Sequence, residues 1–190
     1  MDICPELFNG LEDLLVREFR TCQALHKLTR QERDAIAKQD ARLLLALVIE
    51  KEALLDELER LEEARRSALQ EAHCSLGLTV ESLSLSQVCS ALGQDSGSRV
   101  NHLRSGIQAL IEQVRDLTRA NQALAGWTLD GGGQVHPTGE TRPLRKARQS
   151  QAPALPGQEA PETWAESVYQ AALAAFHRTL ATITMYDLTG

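Results

Sequence analysis

Apolar side chains recur at spacings of three and four along the first part of the chain. This spacing keeps them on one face of an α-helix, so the pattern predicts a long amphipathic helix over residues 5–37. Pro5 suits its first turn, where a backbone N–H has no partner in any case. The positions that form the stripe are Leu7, Phe8, Leu11, Leu14, Leu15, Phe19, Cys22, Leu25 and Leu28.

A second helix is predicted over 40–75, with Asp40 as its N-cap. Its apolar seam follows a heptad pattern with two cationic members, Lys51 and Arg65. We expect their stems to lie on apolar surface while their charges reach water. The many glutamates that flank the seam are typical of a solvated helix face. The seam positions are Leu44, Leu47, Lys51, Leu54, Leu58, Leu61, Arg65, Ala68 and Ala72.

Two further helices are predicted before residue 128. Ser84 and Gln87 form a capping-box pattern that starts a short helix over 85–92. A longer helix follows over 97–127, and Asn121 is the one polar member of its seam. A polar residue in such a seam can fix register or partner number at some cost in stability. The predicted seam is Val100, Leu103, Ile107, Leu110, Val114, Leu117, Asn121 and Leu124.

The segment 129–161 has a different composition, because five of the six prolines and five glycines fall in it. It carries almost no large apolar side chains, which predicts a flexible linker. An amphipathic pattern resumes over 162–190 and includes four of the seven aromatic residues. Such a helix must dock on its own bundle or on another protein. Its apolar face carries Trp164, Val168, Tyr169, Ala172, Leu173, Phe176, Leu180 and Ile183.

The predicted fold is all-α: an elongated antiparallel helical bundle or coiled coil, with long helices and a linker-tethered C-terminal helix. Residues 1–128 would form the bundle domain, 129–161 the linker, and 162–190 the last helix and tail. Only seven of 190 residues are aromatic, which argues against an all-β sandwich or barrel.

Charge and hydropathy exclude several classes of partner. A net charge of −6 argues against a dedicated nucleic-acid binder. No apolar run is long enough to span a bilayer, and the first six residues carry neither a basic nor an apolar signal region, so we expect no Sec-type signal. We therefore expect a cytoplasmic protein with reduced thiols. Its four cysteines are widely spaced without a C-x-x-C motif.

Catalytic and metal-binding patterns are missing from the sequence. There is no phosphate-binding glycine loop, nucleophile elbow or H-E-x-x-H motif. The five histidines are scattered. We therefore predict no enzymatic activity, cofactor or metal, which leaves an interaction module. One hypothesis is that the chain is a structural, self-associating coiled-coil scaffold or adaptor.

Three stretches give the chain a resemblance to a known family. Residues 40–59, continuing to Arg65 and Arg66, carry a Lys-x-x-Leu-Leu core followed by a Leu-Glu run. Residues 117–124 carry Leu-x-x-x-Asn-x-x-Leu, and residues 182–190 end in Tyr-Asp-x-x-Gly. In this order they resemble the FlgN family of flagellar export chaperones.

The resemblance implies a cytoplasmic, non-enzymatic role. Such chaperones bind hook-associated proteins of the hook–filament junction, keep them soluble and deliver them to the flagellar type III export apparatus. We expect a monomer or homodimer without cofactor, nucleic acid or membrane insertion.

A client-binding face is the one candidate site. We place it on the last helix because aromatic anchors bury large area with few rotatable bonds. The alternative is that the same side chains complete a four-helix core. The predicted client-binding residues are Trp164, Val168, Tyr169, Leu173, Phe176, Leu180 and Ile183.

Overall fold

The computed structural model describes residues 5–76, 85, 94–129 and 161–185. Within these ranges the chain forms four long helices: α1 (Pro5–Ala37), α2 (Ala41–Leu76), α3 (Gln94–Leu129) and α4 (Pro161–Met185). The all-α prediction is confirmed. The predicted short helix over 85–92, apart from Leu85, and the predicted linker interior over 130–160 lie outside the described residues.

A tight turn joins α1 to α2. Gln39 has a positive φ of 55°, and the Asp40 and Gln39 N–H groups donate to the carbonyls of Ala35 and Ile36. This arrangement is a Schellman motif, which satisfies the last carbonyls of α1. Asp40 then caps α2 as predicted, because its Oδ1 accepts a hydrogen bond of 3.0 Å from the Leu43 N–H.

The four helices form a bundle in which α1 and α4 occupy opposite corners. Each of these two packs against both α2 and α3. Paired residues show the directions: Glu12 meets Arg99 and Thr29 meets Asn121, so α1 and α3 are parallel. Glu18 meets Arg65, so α2 runs the opposite way. The bundle is therefore up-down-up-down, with α4 covering the cleft between α2 and α3.

Seven of the nine predicted seam positions of α2 are buried and the other two, Leu54 and Ala68, are half-buried, but the core face of α3 is rotated. The predicted members Leu103, Leu110, Leu117 and Leu124 are only half-buried. The row that enters the core is Ile107, Ile111, Val114, Thr118, Asn121 and Ala125. Ile107, Val114 and Asn121 belong to the predicted seam, whereas Ile111, Thr118 and Ala125 take the core positions that were predicted for leucines.

One close approach fixes how α1 meets α3. Gly106 lies inside α3, and a Cβ built there would come within 2.8 Å of Cε2 of Phe19. A glycine inside a helix costs about 1 kcal/mol relative to alanine. Here it makes room for the aromatic ring of α1.

Candidate functional site

The apolar face of α4 points into the bundle. Val168, Tyr169, Phe176 and Ile183 are buried, whereas Trp164, Leu173 and Leu180 are half-buried. All seven predicted client-binding side chains therefore lie against the bundle in this conformation. Most of them join the cluster at the α1–α2 turn, while Leu180 and Ile183 reach the cluster near the middle of the bundle. Their role in binding a client stays a prediction.

A polar layer under α4 brings all four helices together. The Lys51 Nζ donates to Glu32 Oε2 at 2.7 Å, and both side chains are fully buried. The ring of Phe176 lies over this ammonium, 5.2 Å from nitrogen to ring centroid. An aromatic face stabilises such a cation electrostatically. The α4 helix thus helps to enclose the ion pair.

Burial controls the protonation of this pair more than attraction does. Burial raises the pKa of Glu32, although Lys51 and Asn121 lower it in part. Burial also lowers the pKa of Lys51, although Glu32 raises it in part. Both shifts have the direction expected when desolvation outweighs Coulomb attraction in a buried pair.

Asn121 extends the layer to α3. Its side chain is fully buried, and its Nδ2 donates to the backbone carbonyl of Thr29 at 2.8 Å. The hydrogen bond ties α3 to α1 at one level along the bundle. The role of Asn121 in fixing register or partner number stays a prediction, and this contact supports it.

A second buried ion pair lies nearer the other end of the bundle. The Arg65 Nε donates to Glu18 Oε1 at 3.1 Å, and neither side chain is more than 2% exposed. Lys51 and Arg65 therefore do not reach water, and that expectation was wrong. Its physical reason is that each cation meets a carboxylate on the facing helix, which compensates part of the cost of burial.

The sequence did contain a signal for these pairs. Glu18 and Glu32 continue the heptad of the first helix and stand 14 residues apart, as Lys51 and Arg65 do on the second helix. Antiparallel pairing aligns both couples at once. Because the predicted stripe is defined by apolar residues, it does not include the two glutamates.

The edges of α4 make solvent-accessible polar contacts. Arg178 pairs with Glu52, with Asp56 at 2.5 Å and with Glu59 at 3.7 Å. On the other edge, Gln122 of α3 contacts the ring Nε2 of His177 at 2.9 Å. Exposed pairs of this kind contribute little to stability. They orient α4 in its cleft more than they hold it there.

The described residues contain no group of three or more His, Cys, Asp or Glu side chains suited to a metal ion. In the same ranges, no helix combines the length and apolar character needed to cross a membrane.

A family model described as FlgN protein matches residues 1–127. The chain belongs to the FlgN family. Membership gives it the general role of a flagellar export chaperone, in a family of chaperones rather than enzymes. The match covers α1, α2 and nearly all of α3, and it ends before α4. No curated protein and no solved structure matches the chain.

Proposed function

We propose that this FlgN-family protein binds hook-associated proteins of the hook–filament junction in the cytoplasm. It keeps them soluble and delivers them to the flagellar type III export apparatus. The observation that carries the proposal is the family match over residues 1–127. The buried ion pairs and the buried Asn121 described above make contacts between helices, which fits a binding role rather than a catalytic one.

The apolar face of α4 is the proposed client contact. An exported subunit with an assembly-prone helical end needs its apolar surface covered, and an amphipathic helix or groove can do this. In the described conformation that face packs on α2 and α3. A client therefore reaches it only after α4 leaves its cleft.

The composition of the α4 contact supports such a release. Small and hydroxyl side chains occupy much of its buried face, including Ala172, Ala175, Thr179 and Thr182. They bury less apolar area per residue than leucine, so they stabilise docking less. The 31 residues between Leu129 and Pro161 give the chain length for a displaced α4 to stay attached.

Calorimetric titration of the full chain with purified hook–filament junction proteins tests the client assignment. We expect saturable binding to at least one of them. A folded, helical chain that binds none of these proteins would overturn the assignment.

Paired substitutions test the contact face. Trp164→Ala combined with Phe176→Ala is expected to weaken client binding at least tenfold, about 1.4 kcal/mol. Gln170 lies on the exposed face of the same helix, so Gln170→Ala serves as the matched control. Circular dichroism verifies the fold of each variant. Unchanged affinity in the folded double variant would move the contact to the other helices.

A further inference from the structure

An exposed apolar stripe runs along the outer face of α2 near its N-terminus. The sequence places seven consecutive apolar residues there, 43–49, which is more than one buried face can absorb. Leu43 is 44% exposed and Ile49 is 64% exposed. Within the described ranges three large apolar side chains are exposed, and two of them, Leu43 and Ile49, lie within two turns of each other. Ala46 lies between them and is also exposed.

The stripe is self-complementary about Ala46. Leu43 lies three residues before Ala46 and Ile49 three after; Arg42 lies four before and Glu50 four after. Both charged side chains are exposed. An antiparallel copy of α2 crossing at Ala46 would bring each Leu43 level with the other copy's Ile49. It would also bring each Arg42 level with the other copy's Glu50.

Other registers are less favourable. Parallel pairing places Arg42 beside its own copy and Glu50 beside its own copy, which are like-charge contacts. An antiparallel shift of one heptad sets Leu43 against Asp56 and Ile49 against Glu50. Of these three arrangements, only the crossing at Ala46 keeps apolar residues level with apolar residues and opposite charges level with each other. Its small side chain also permits a short distance between the helix axes.

We propose that two copies of this protein associate through the outer faces of their α2 helices, antiparallel and with a two-fold axis at Ala46. The contact is isologous, so every stabilising interaction occurs twice. It spans about three turns and is smaller than a permanent dimer interface, so the dimer forms in a concentration-dependent way. This face is distinct from the α4 contact, and the proposal does not depend on the identity of the client.

Sedimentation of the full chain over a concentration series tests the association. We expect a monomer–dimer equilibrium, and Ile49→Lys should raise the dimer dissociation constant at least tenfold. Ala64→Lys adds the same charge to an exposed position about four turns further along α2 and should leave the equilibrium unchanged. A monomeric mass at every concentration, or a dimer that persists with Ile49→Lys, would overturn the proposal.

Charge exchange tests the register. Arg42→Glu alone should weaken the dimer, and Arg42→Glu combined with Glu50→Arg should restore it. Failure of the double variant to restore association would contradict the antiparallel crossing.

Cysteine cross-linking tests the axis directly. Ala46→Cys should form a disulfide-linked dimer in a chain whose Cys4, Cys74 and Cys89 are changed to serine. Burial, with a smaller effect of Glu18, raises the pKa of Cys22 to about 12, so that thiol stays unreactive. Ala53→Cys is the control, because its two copies would stand about 21 Å apart along the helices, too far to bridge. Equal cross-linking at both positions would refute the axis.

Discussion

The α1 and α4 helices each pack against both α2 and α3, but they are held by different chemistry. The buried face of α1 carries leucines and isoleucine together with Glu18 and Glu32, whose partners are Arg65 and Lys51. The buried face of α4 is rich in alanine and threonine. Its ion pairs, through Arg178, are accessible to water.

This difference separates contacts that fix the register of two helices from contacts that a helix can release. A charge buried in the α1–α2 interface is compensated only when its partner is level with it, so a slip of the helices would leave both charges unpaired. The polar groups of α4 can exchange their partners for water at small cost. The comparison therefore supports the proposal that α4 can leave its cleft while α1 stays packed in the bundle.

Breaking the buried pair should give the largest effect. Lys51→Met leaves Glu32 buried without its cation and is expected to lower the free energy of unfolding by about 3–5 kcal/mol. Adding Glu32→Leu removes the stranded carboxyl and should recover most of that loss. Urea denaturation of the single and double variants measures both effects. A double variant no more stable than Lys51→Met would show that the pair itself stabilises the bundle.

Core truncation should distinguish the two predicted seams. Leu58→Ala removes a fully buried side chain of α2 and should cost about 2–5 kcal/mol. Leu110 of α3 is half-buried, so Leu110→Ala should cost clearly less. Equal losses in thermal and urea denaturation would mean that α3 is turned differently from the arrangement described above.

The pH dependence of stability tests the state of Glu32. Because burial raises its pKa in the folded protein, the native state takes up a proton at higher pH than the unfolded chain does. The contribution of this group to the unfolding free energy therefore increases as pH falls through the native pKa. We expect any stability advantage of Glu32→Gln over the parent chain to shrink as the pH is lowered from neutral towards the ordinary pKa of a glutamate. An advantage that grows on acidification would show that Lys51 keeps the pKa below its usual value.

Removing the α4 ion pairs should have the smallest effect. Arg178→Ala leaves no buried carboxyl without a partner, since Glu52 is half-exposed and Asp56 is exposed. We expect a loss of about 1 kcal/mol or less. Global denaturation and hydrogen exchange along α4 both report on it. A loss comparable with that of Lys51→Met would remove the distinction between α1 and α4.

Sequence reasoning anticipated those features that depend on local pattern. The four long helices, the Asp40 cap and the α2 seam follow from apolar spacing and capping chemistry. The rotation of α3 was not predicted, because its core row includes Thr118 and Ala125, whose burial depends on neighbouring helices. The burial of Lys51 and Arg65 was missed for a similar reason: a pairing between helices is a property of two segments. The placement of α4 against its cleft likewise depends on contacts with α2 and α3.

The central claim is that a client reaches the apolar face of α4 only when α4 leaves its cleft. Gln122 and His177 touch across the α3–α4 edge, with 2.9 Å between their nitrogens. Cysteines at these positions, in a chain with Cys4, Cys74 and Cys89 changed to serine, can be joined by a short bis-maleimide. A hook–filament junction protein that binds this chain is then titrated into it before and after cross-linking. We expect cross-linking to lower the affinity for that protein at least tenfold. Unchanged affinity in the locked protein would contradict the account.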